Sequence, residues 1–245
     1  MSFSGNIKEE ISRQLSPARH CQIAELAAII SMCGAVMIDS RGHAALKIHT
    51  ENLAVARKIF TLLRRTFNIV VDIAIRVNRE KGSSYYYIVV KKHEDAIRVL
   101  QAAKLLNPYG DVEEELSVVK NVVIQETCCK RSFLRGVFLA SGSMSDPEKS
   151  YHFEIVCASM GKAQQIQKIM RCFALDAKIV SRKKSFVVYL KEGAQIVDVL
   201  NVMEAHQSLM ELENIRILKD MRNTVNRKVN CETANINKTV SAAVK

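Results

Sequence analysis

The chain has 245 residues, 48% hydrophobic and 25% charged, an ordinary composition for a globular protein with one large domain or two small ones. Three prolines and no tryptophan argue against a Pro-rich linker and for dense regular structure. The formal net charge of +11 favours a polyanionic partner, nucleic acid before an acidic membrane surface, with plain solubility charge as the bland alternative.

In chain order, Ile7, Ile11 and Leu15 fall four apart and predict an amphipathic helix over 4–15, punctuated by Ser16-Pro17. Leu26, Ile29, Ile30 and Cys33 predict a second helix, closed by Gly34 in the manner of a C-terminal glycine. A strand over 44–48 and a basic helix over 52–67 follow. A hairpin of 69–77 and 85–90 turns through 78–82, and a helix over 94–106 ends at Asn107-Pro108. Residues 109–123 read as a linker with a helix or strand.

The order then repeats: a helix over 131–140 before Gly142, a strand over 151–157 and a helix over 162–172. A hairpin of 177–180 and 186–190 turns through 181–184, and a helix covers 192–205. Leu26 and Gly34 recur 108 residues later as Leu134 and Gly142, and YYYIVVKKHEDAIRVL matches SFVVYLKEGAQIVDVL. A fixed offset over several elements is the mark of an internal duplication. Beyond residue 205 the chain is polar and helical, and 239–244 opens a helical pattern without a C-cap, which reads as a truncation.

Familiar enzyme motifs are missing. There is no GxGxxG, GxxxxGK[ST] or HExxH, and the six histidines are scattered. Seven cysteines without a CxxC pair or a secretory leader read as reduced thiols. His20-Cys21 and Cys128-Cys129 raise the idea of a metal site, but neither pair has zinc-ligand spacing. They are read as small buried hydrophobes, and no metal or cofactor is expected. The stretch 23–38 is broken by Glu25, Ser31 and Gly34 and is too short for a membrane span.

LAAIISMCG (26–34) and LRGVFLASG (134–142), each opening an α/β repeat, resemble the motif helices of the LAGLIDADG homing-endonuclease fold. Three longer strings resemble the WhiA family in order: SFSGNIKEE at the start, CCKRSFLRGVFLASGSMSDPEKSYHFEI in the middle and MRNTVNRKVNCETANINKT near the end. This resemblance runs over 2–245. It implies an α+β, pseudo-twofold duplicated LAGLIDADG homing-endonuclease-like fold of two αββαββα-type repeats, followed by a helical C-terminal segment. The implied divisions are an N-terminal helix (1–20), a first repeat (21–107), a linker (108–127), a second repeat (128–210) and a helical linker (211–245). The last leads toward a helix-turn-helix domain absent from this chain.

The resemblance also implies function. The family is one of bacterial DNA-binding transcription regulators linked to sporulation, cell division and chromosome segregation. A cytoplasmic, nucleoid-associated monomer is therefore expected, with internal pseudo-twofold symmetry and no membrane contact. Double-stranded DNA is the expected partner, other regulatory proteins a further one. In the nuclease fold the motif helices pack side by side, so small residues are expected at their contact: Ala27, Ala28 and Gly34 in one, Gly136, Ala140 and Gly142 in the other. Met32, where alanine is usual, suggests a looser or shifted contact. Each nuclease motif helix ends in a metal-binding carboxylate, because Mg²⁺ takes hard oxygen ligands. Those positions are Cys33 and Ser141 here, and neither side chain offers a charge to a hard cation.

Three readings follow. The first is a catalytically inactive scaffold in a DNA-binding regulator. The second is an active metal-dependent endonuclease using displaced acids, Asp39, Asp146 or Glu25, against which Asp39 to Gly42 and Asp146-Pro147 read as turns. The third is a protein-interaction module. For the first, the tentative DNA contacts are the two equivalent hairpins, with Arg76, Arg79 and Lys81 on one and Arg182, Lys183 and Lys184 on the other.

Overall fold

The computed structural model describes residues 2–78, 82–106 and 119–243. One order of elements occurs twice. The first set is α2 (Arg19–Cys33), β1 (Gly34–Ile38), β2 (Ala44–Thr50), α3 (Leu53–Phe67), β3 (Asp72–Asn78), β4 (Ser83–Val90) and α4 (His93–Ala102). The second is α5 (Thr127–Ser141), β5 (Gly142–Met144), β6 (Phe153–Cys157), α6 (Met160–Arg171), β7 (Lys178–Arg182), β8 (Ser185–Leu190) and α7 (Gly193–Val202). Helix α1 (Phe3–Arg13) precedes them and α8 (His206–Ala243) follows. This is the expected duplicated α+β fold.

Each set folds its strands into an antiparallel sheet, ordered β1-β2-β4-β3 and β5-β6-β8-β7. Alternation sends Ala44, Leu46 and Ile48 of β2, and Phe153, Ile155 and Cys157 of β6, into one shared core. The duplication reaches single backbone torsions. Both α4 and α7 end in a left-handed residue, Lys104 (φ 53°) and Glu204 (φ 63°). Both then close with the same 6→1 bond, Leu105 N to Leu100 O and Ala205 N to Leu200 O, as Schellman ends do.

The central helices α2 and α5 make the largest inter-element contact among the described residues. Residues 24–31 of α2 are buried on every side, which explains why its apolar pattern is nearly continuous rather than a stripe. Gly136 lets the backbones meet: a Cβ there would lie 2.5 Å from Glu25 O and 2.7 Å from the Ala28 Cβ. Ala27 and Ala28 are fully buried, Ala140 half-buried. Of the looser or shifted contact expected from Met32, the close approach at Gly136 goes against the looser one. Met32 lies half-buried at the edge of the core while the contact closes at Gly136.

Several boundaries differ from expectation. Gly34 and Gly142 end their helices in extended, not left-handed, conformation (ψ 153° and 150°), because the chain runs straight from helix into strand. Asn78, Ser181 and Arg182 belong to strands, so the second turn is only Lys183-Lys184. Of the 109–123 stretch, Asn121–Ile124 is a 3₁₀ turn, and 109–118 lie outside the described residues, as do Asn107 and Pro108. The polar stretch expected to be helical beyond 205 is one 38-residue helix, α8, which runs across the division placed at 210–211. Glu10 of α1 supplies its cap, accepting from Gln207 N (2.7 Å), Ser208 N (3.0 Å) and Ser208 Oγ (2.6 Å). No helix among the described residues is long and apolar enough to cross a membrane.

Candidate nucleic-acid interface

Two side chains stand where the resemblance places metal-binding carboxylates. Cys33 is buried, and its thiol donates to Ile29 O (3.2 Å) in its own helix. Burial pushes this thiol up to about 12, against the pull of nearby Lys8, so it stays protonated and neutral. Ser141 likewise points back, its hydroxyl donating to Val137 O (3.4 Å). Helix C-termini carry partial negative charge on unpaired carbonyls, which cations satisfy. Here ammonium groups come to that end. Lys162 Nζ of α6 donates to Ser31 O (2.5 Å). Lys8 Nζ of α1 lies 5.8 Å from the Phe138 ring centroid and close enough to Cys33 to act on its thiol. Burial holds Lys8 below the usual ammonium range, opposed by Cys33 and Glu51. Two neutral side chains and two ammonium groups do not fit a Mg²⁺ or Mn²⁺ site.

The displaced acids do not gather there. Asp39 is exposed and tied into its turn, Oδ1 accepting from Arg41 N and His43 N at 2.8 Å each; these amide bonds hold its carboxyl below the usual range. Asp146 makes the equivalent turn with Glu148 N (3.0 Å). Glu25 is fully buried between the repeats, with Lys58 Nζ 2.5 Å from Oε1 and Arg135 Nε at 3.8 Å. Lys58 also donates to Ile11 O (2.8 Å), and Arg135 continues to Glu204 (2.5 Å). Burial pushes Glu25 up while Lys58 and Arg135 pull it down. This carboxylate is a structural anchor with no route to a substrate.

Each sheet has one face turned away from the helices. Register places Lys47 and His49 of β2, Tyr85 and Tyr87 of β4 and Arg76 of β3 on the first such face. The second holds Glu154 of β6, Tyr189 of β8, and Lys178 and Arg182 of β7. Lys47 Nζ lies 4.2 Å from the Tyr87 ring centroid and Lys191 Nζ 5.4 Å from that of Tyr189. Tyr86 faces the opposite way and packs on the core, as strand alternation requires. Arg76, Arg182, Lys183 and Lys184 are exposed. Lys183 holds a left-handed turn conformation (φ 53°), and Arg182 Nη1 is 3.7 Å from Glu154. Arg79 and Lys81 lie outside the described residues.

At the far ends of α2 and α5, His20, Cys21, Cys128 and Cys129 come together, with His20 Nδ1 3.1 Å from Cys129 Sγ and 3.5 Å from Cys21 Sγ. The cysteines are not all the small buried hydrophobes expected: Cys21, Cys33, Cys129 and Cys157 are buried, whereas Cys128, Cys172 and Cys231 are exposed.

Two family models match the chain, the WhiA N-terminal LAGLIDADG-like domain over residues 19–106 and the WhiA LAGLIDADG-like domain over 130–222. A relative from Lachnoclostridium phytofermentans, named probable cell division protein WhiA, is 54% identical over 245 residues, 100% of this chain and 78% of its own. The chain belongs to the WhiA family. Full-length DUF199/WhiA from Thermatoga maritima shares its fold, with a TM-score of 0.72 and 24% identity over 98% of this chain and 75% of that one. The homing endonuclease I-DmoI, crystallised in complex with DNA and Mn, shares it more distantly, with a TM-score of 0.53 and 10% identity over 76% and 98% of the two chains.

Within this WhiA-family chain the sequence named the helix-end side chains and the hairpin cations. It missed Lys8 and Lys162, which reach the helix ends from elements 25 and 131 residues away (Lys8 to Cys33, Ser31 to Lys162). Nothing local marks either lysine. The pairing of His20-Cys21 with Cys128-Cys129 was open to detection, because both pairs sit at the same 108-residue offset as the motif glycines.

Proposed function

We propose that the chain is a catalytically inactive LAGLIDADG scaffold that holds duplex DNA against the open faces of its two sheets, in a transcription regulator of cell division. The observation that carries this reading is the exchange at the motif helix ends. Cys33 and Ser141 bond back into their own helices, Lys162 donates to the Ser31 carbonyl, and the Lys8 ammonium lies near enough to act on Cys33. The sheets keep exposed cations beside aromatic rings, the chemistry that meets phosphates and bases. The relation to a fold crystallised on DNA supports the same reading. Arg76, Arg182, Lys183 and Lys184, with Arg79 and Lys81 of the first hairpin, are its phosphate contacts; sporulation and chromosome segregation are the processes the family resemblance attaches to it.

The test is fluorescence anisotropy of a labelled duplex at several salt concentrations. The logarithm of the affinity is expected to fall linearly with that of salt. Reversing Arg182, Lys183 and Lys184 to glutamate should reduce the slope by about 2 to 3. Affinity flat with salt, or no binding at low salt, rejects the reading. A plasmid-nicking assay with Mg²⁺ and Mn²⁺ should show no cleavage; cleavage abolished by Asp39→Asn or Asp146→Asn would establish the nuclease instead. A protein-interaction role has one specific observation behind it: edge strand β3 exposes Ile73, Ile75 and Val77, which suits a regulatory protein better than phosphate. That role predicts partner capture lost on substituting these three by serine, with DNA retention intact.

A further inference from the structure

Four soft or borderline ligand atoms meet where α2 and α5 begin. The groups are the His20 imidazole and the thiols of Cys21, Cys128 and Cys129, and their ligating atoms all lie within 4.8 Å of one another. A tetrahedral zinc site has edges of about 3.7 Å, from Zn–S bonds of about 2.3 Å and a Zn–N bond near 2.0 Å. The separations of 3.1 Å and 3.5 Å from His20 Nδ1 to Cys129 and Cys21 bracket that edge from below, so small side-chain rotations complete the tetrahedron. One imidazole with three thiolates is a zinc donor set, and thiolate sulfur does not suit Mg²⁺ or Ca²⁺.

The surroundings agree. His20 and Cys128 are equivalent positions of the two repeats, and so are Cys21 and Cys129, each pair 108 residues apart like the motif glycines. The ligands thus arrive as two symmetry-related pairs. Both pairs sit in the first turn of a helix; burial and the neighbouring thiols push Cys21 up and Cys129 up to about 12, so without a cation these two thiols stay protonated. Cys21 and Cys129 are buried, and His20 and Cys128 are exposed, so the cluster is anchored on one side and reachable from the other. One surface cleft reaches Cys21 and Cys128, and a second reaches His20 and Cys129. The cluster lies about 20 Å along the helices from Cys33 and Ser141, well away from the nuclease-type metal positions.

We infer that His20, Cys21, Cys128 and Cys129 form a tetrahedral zinc site that clamps the N-termini of the two central helices, and with them the two repeats. On binding, each ligating thiol releases its proton to solvent, and the cation takes four protein ligands with no position left for water. The site is structural and independent of how the sheet faces engage DNA.

The experiment uses the purified 245-residue chain, reduced and stripped with a chelator, then titrated with Zn²⁺ against a chromophoric competitor and separately with Co²⁺. One zinc per chain is expected. The cobalt form should show intense tetrahedral d–d bands and a thiolate charge-transfer band. Cys128→Ser and His20→Ala change exposed side chains and should fold; each should weaken zinc by at least about a hundredfold. Cys172→Ser and Cys231→Ser should leave binding unchanged. Bound zinc should raise the Tm of the parent chain and not that of Cys128→Ser. The inference is overturned by substoichiometric zinc, by a six-coordinate cobalt spectrum, or by affinity that survives Cys128→Ser and His20→Ala.

Discussion

Gly136→Ala tests the contact on which both repeats depend. A Cβ at this position would stand 2.5 Å from Glu25 O and 2.7 Å from the Ala28 Cβ, where ordinary contact begins at 3.4 Å. The helices would have to part by about 0.9 Å, and neither obstacle can rotate aside, since one is backbone and the other a Cβ. Parting them also lifts Glu25 from Lys58 and Arg135, its only cations in reach among the described residues. Overpacking of this kind costs about 3 kcal/mol at the upper end, and alanine returns about 1 kcal/mol of helix propensity over glycine. The expected net loss is about 2 kcal/mol. It should be read as a lower urea midpoint at unchanged m-value, with Tm down by about 4–8 °C. Gly193→Ala is the control, because its Cβ would meet the flexible Arg216 side chain at 3.4 Å and the Tyr151 ring at 3.6 Å, both ordinary contacts. It should be neutral or mildly stabilising. Gly136→Ala as stable as the parent chain would refute the close approach and the helix pairing built on it.

Two further outcomes follow from buried groups. Glu25→Gln strands Lys58 without an anion and should cost about 3–5 kcal/mol in urea unfolding, whereas Glu25→Leu with Lys58→Met should recover most of that loss. Cys33 is raised in the fold from a free-thiol value near 8.5 to about 12, so its contribution is fully present below about pH 8.5 and is lost as pH rises toward 12. The stability gap between the parent chain and Cys33→Ala should therefore shrink by about 1.4 kcal/mol per pH unit above pH 9; urea midpoints from pH 8 to 11 check it.

The fold was legible where residue type and period agreed. Helix α3 shows its basic, amphipathic character in the sequence, and Asn52, expected as its first residue, is its cap, Oδ1 accepting from Ala54 N (2.9 Å) and Val55 N (3.2 Å). The first motif helix was found by the helical spacing of Leu26, Ile29, Ile30 and Cys33, and the repeat at Leu134 and Gly142 paired it with the second. What escaped was settled by distant residues. The left-handed ends at Lys104 and Glu204 use residue types with no bias toward positive φ. The start of α8 depends on Glu10, almost two hundred residues earlier in the chain. The His–Cys cluster was raised and then set aside on its spacing. Zinc-spacing rules assume that ligands share a loop or a helix turn, whereas here a duplicated helix pair sets the distance.

The loss of the carboxylates and the gain of the lysines are parts of one change in charge. Two parallel helix C-termini present about half an elementary negative charge each. In a nuclease, two carboxylates add to that charge and divalent cations neutralise the sum. Cys33 and Ser141 leave only the helix-end charge, which a divalent pair would overcompensate. Single ammonium groups match it better, and they need no exchangeable site: Lys8 comes from a helix packed along the outside of the pair, and Lys162 from the neighbouring repeat element α6. Both are fixed by the core that fixes α1 and α6, through Ile7 and Ile11 on one side and Ala163 and Ile166 on the other. A carboxylate placed at position 33 would therefore meet the Lys8 ammonium group before it met a metal ion. On the proposed reading the helix pair keeps its packing without the nuclease chemistry, and the two open sheet faces are the surfaces that meet DNA.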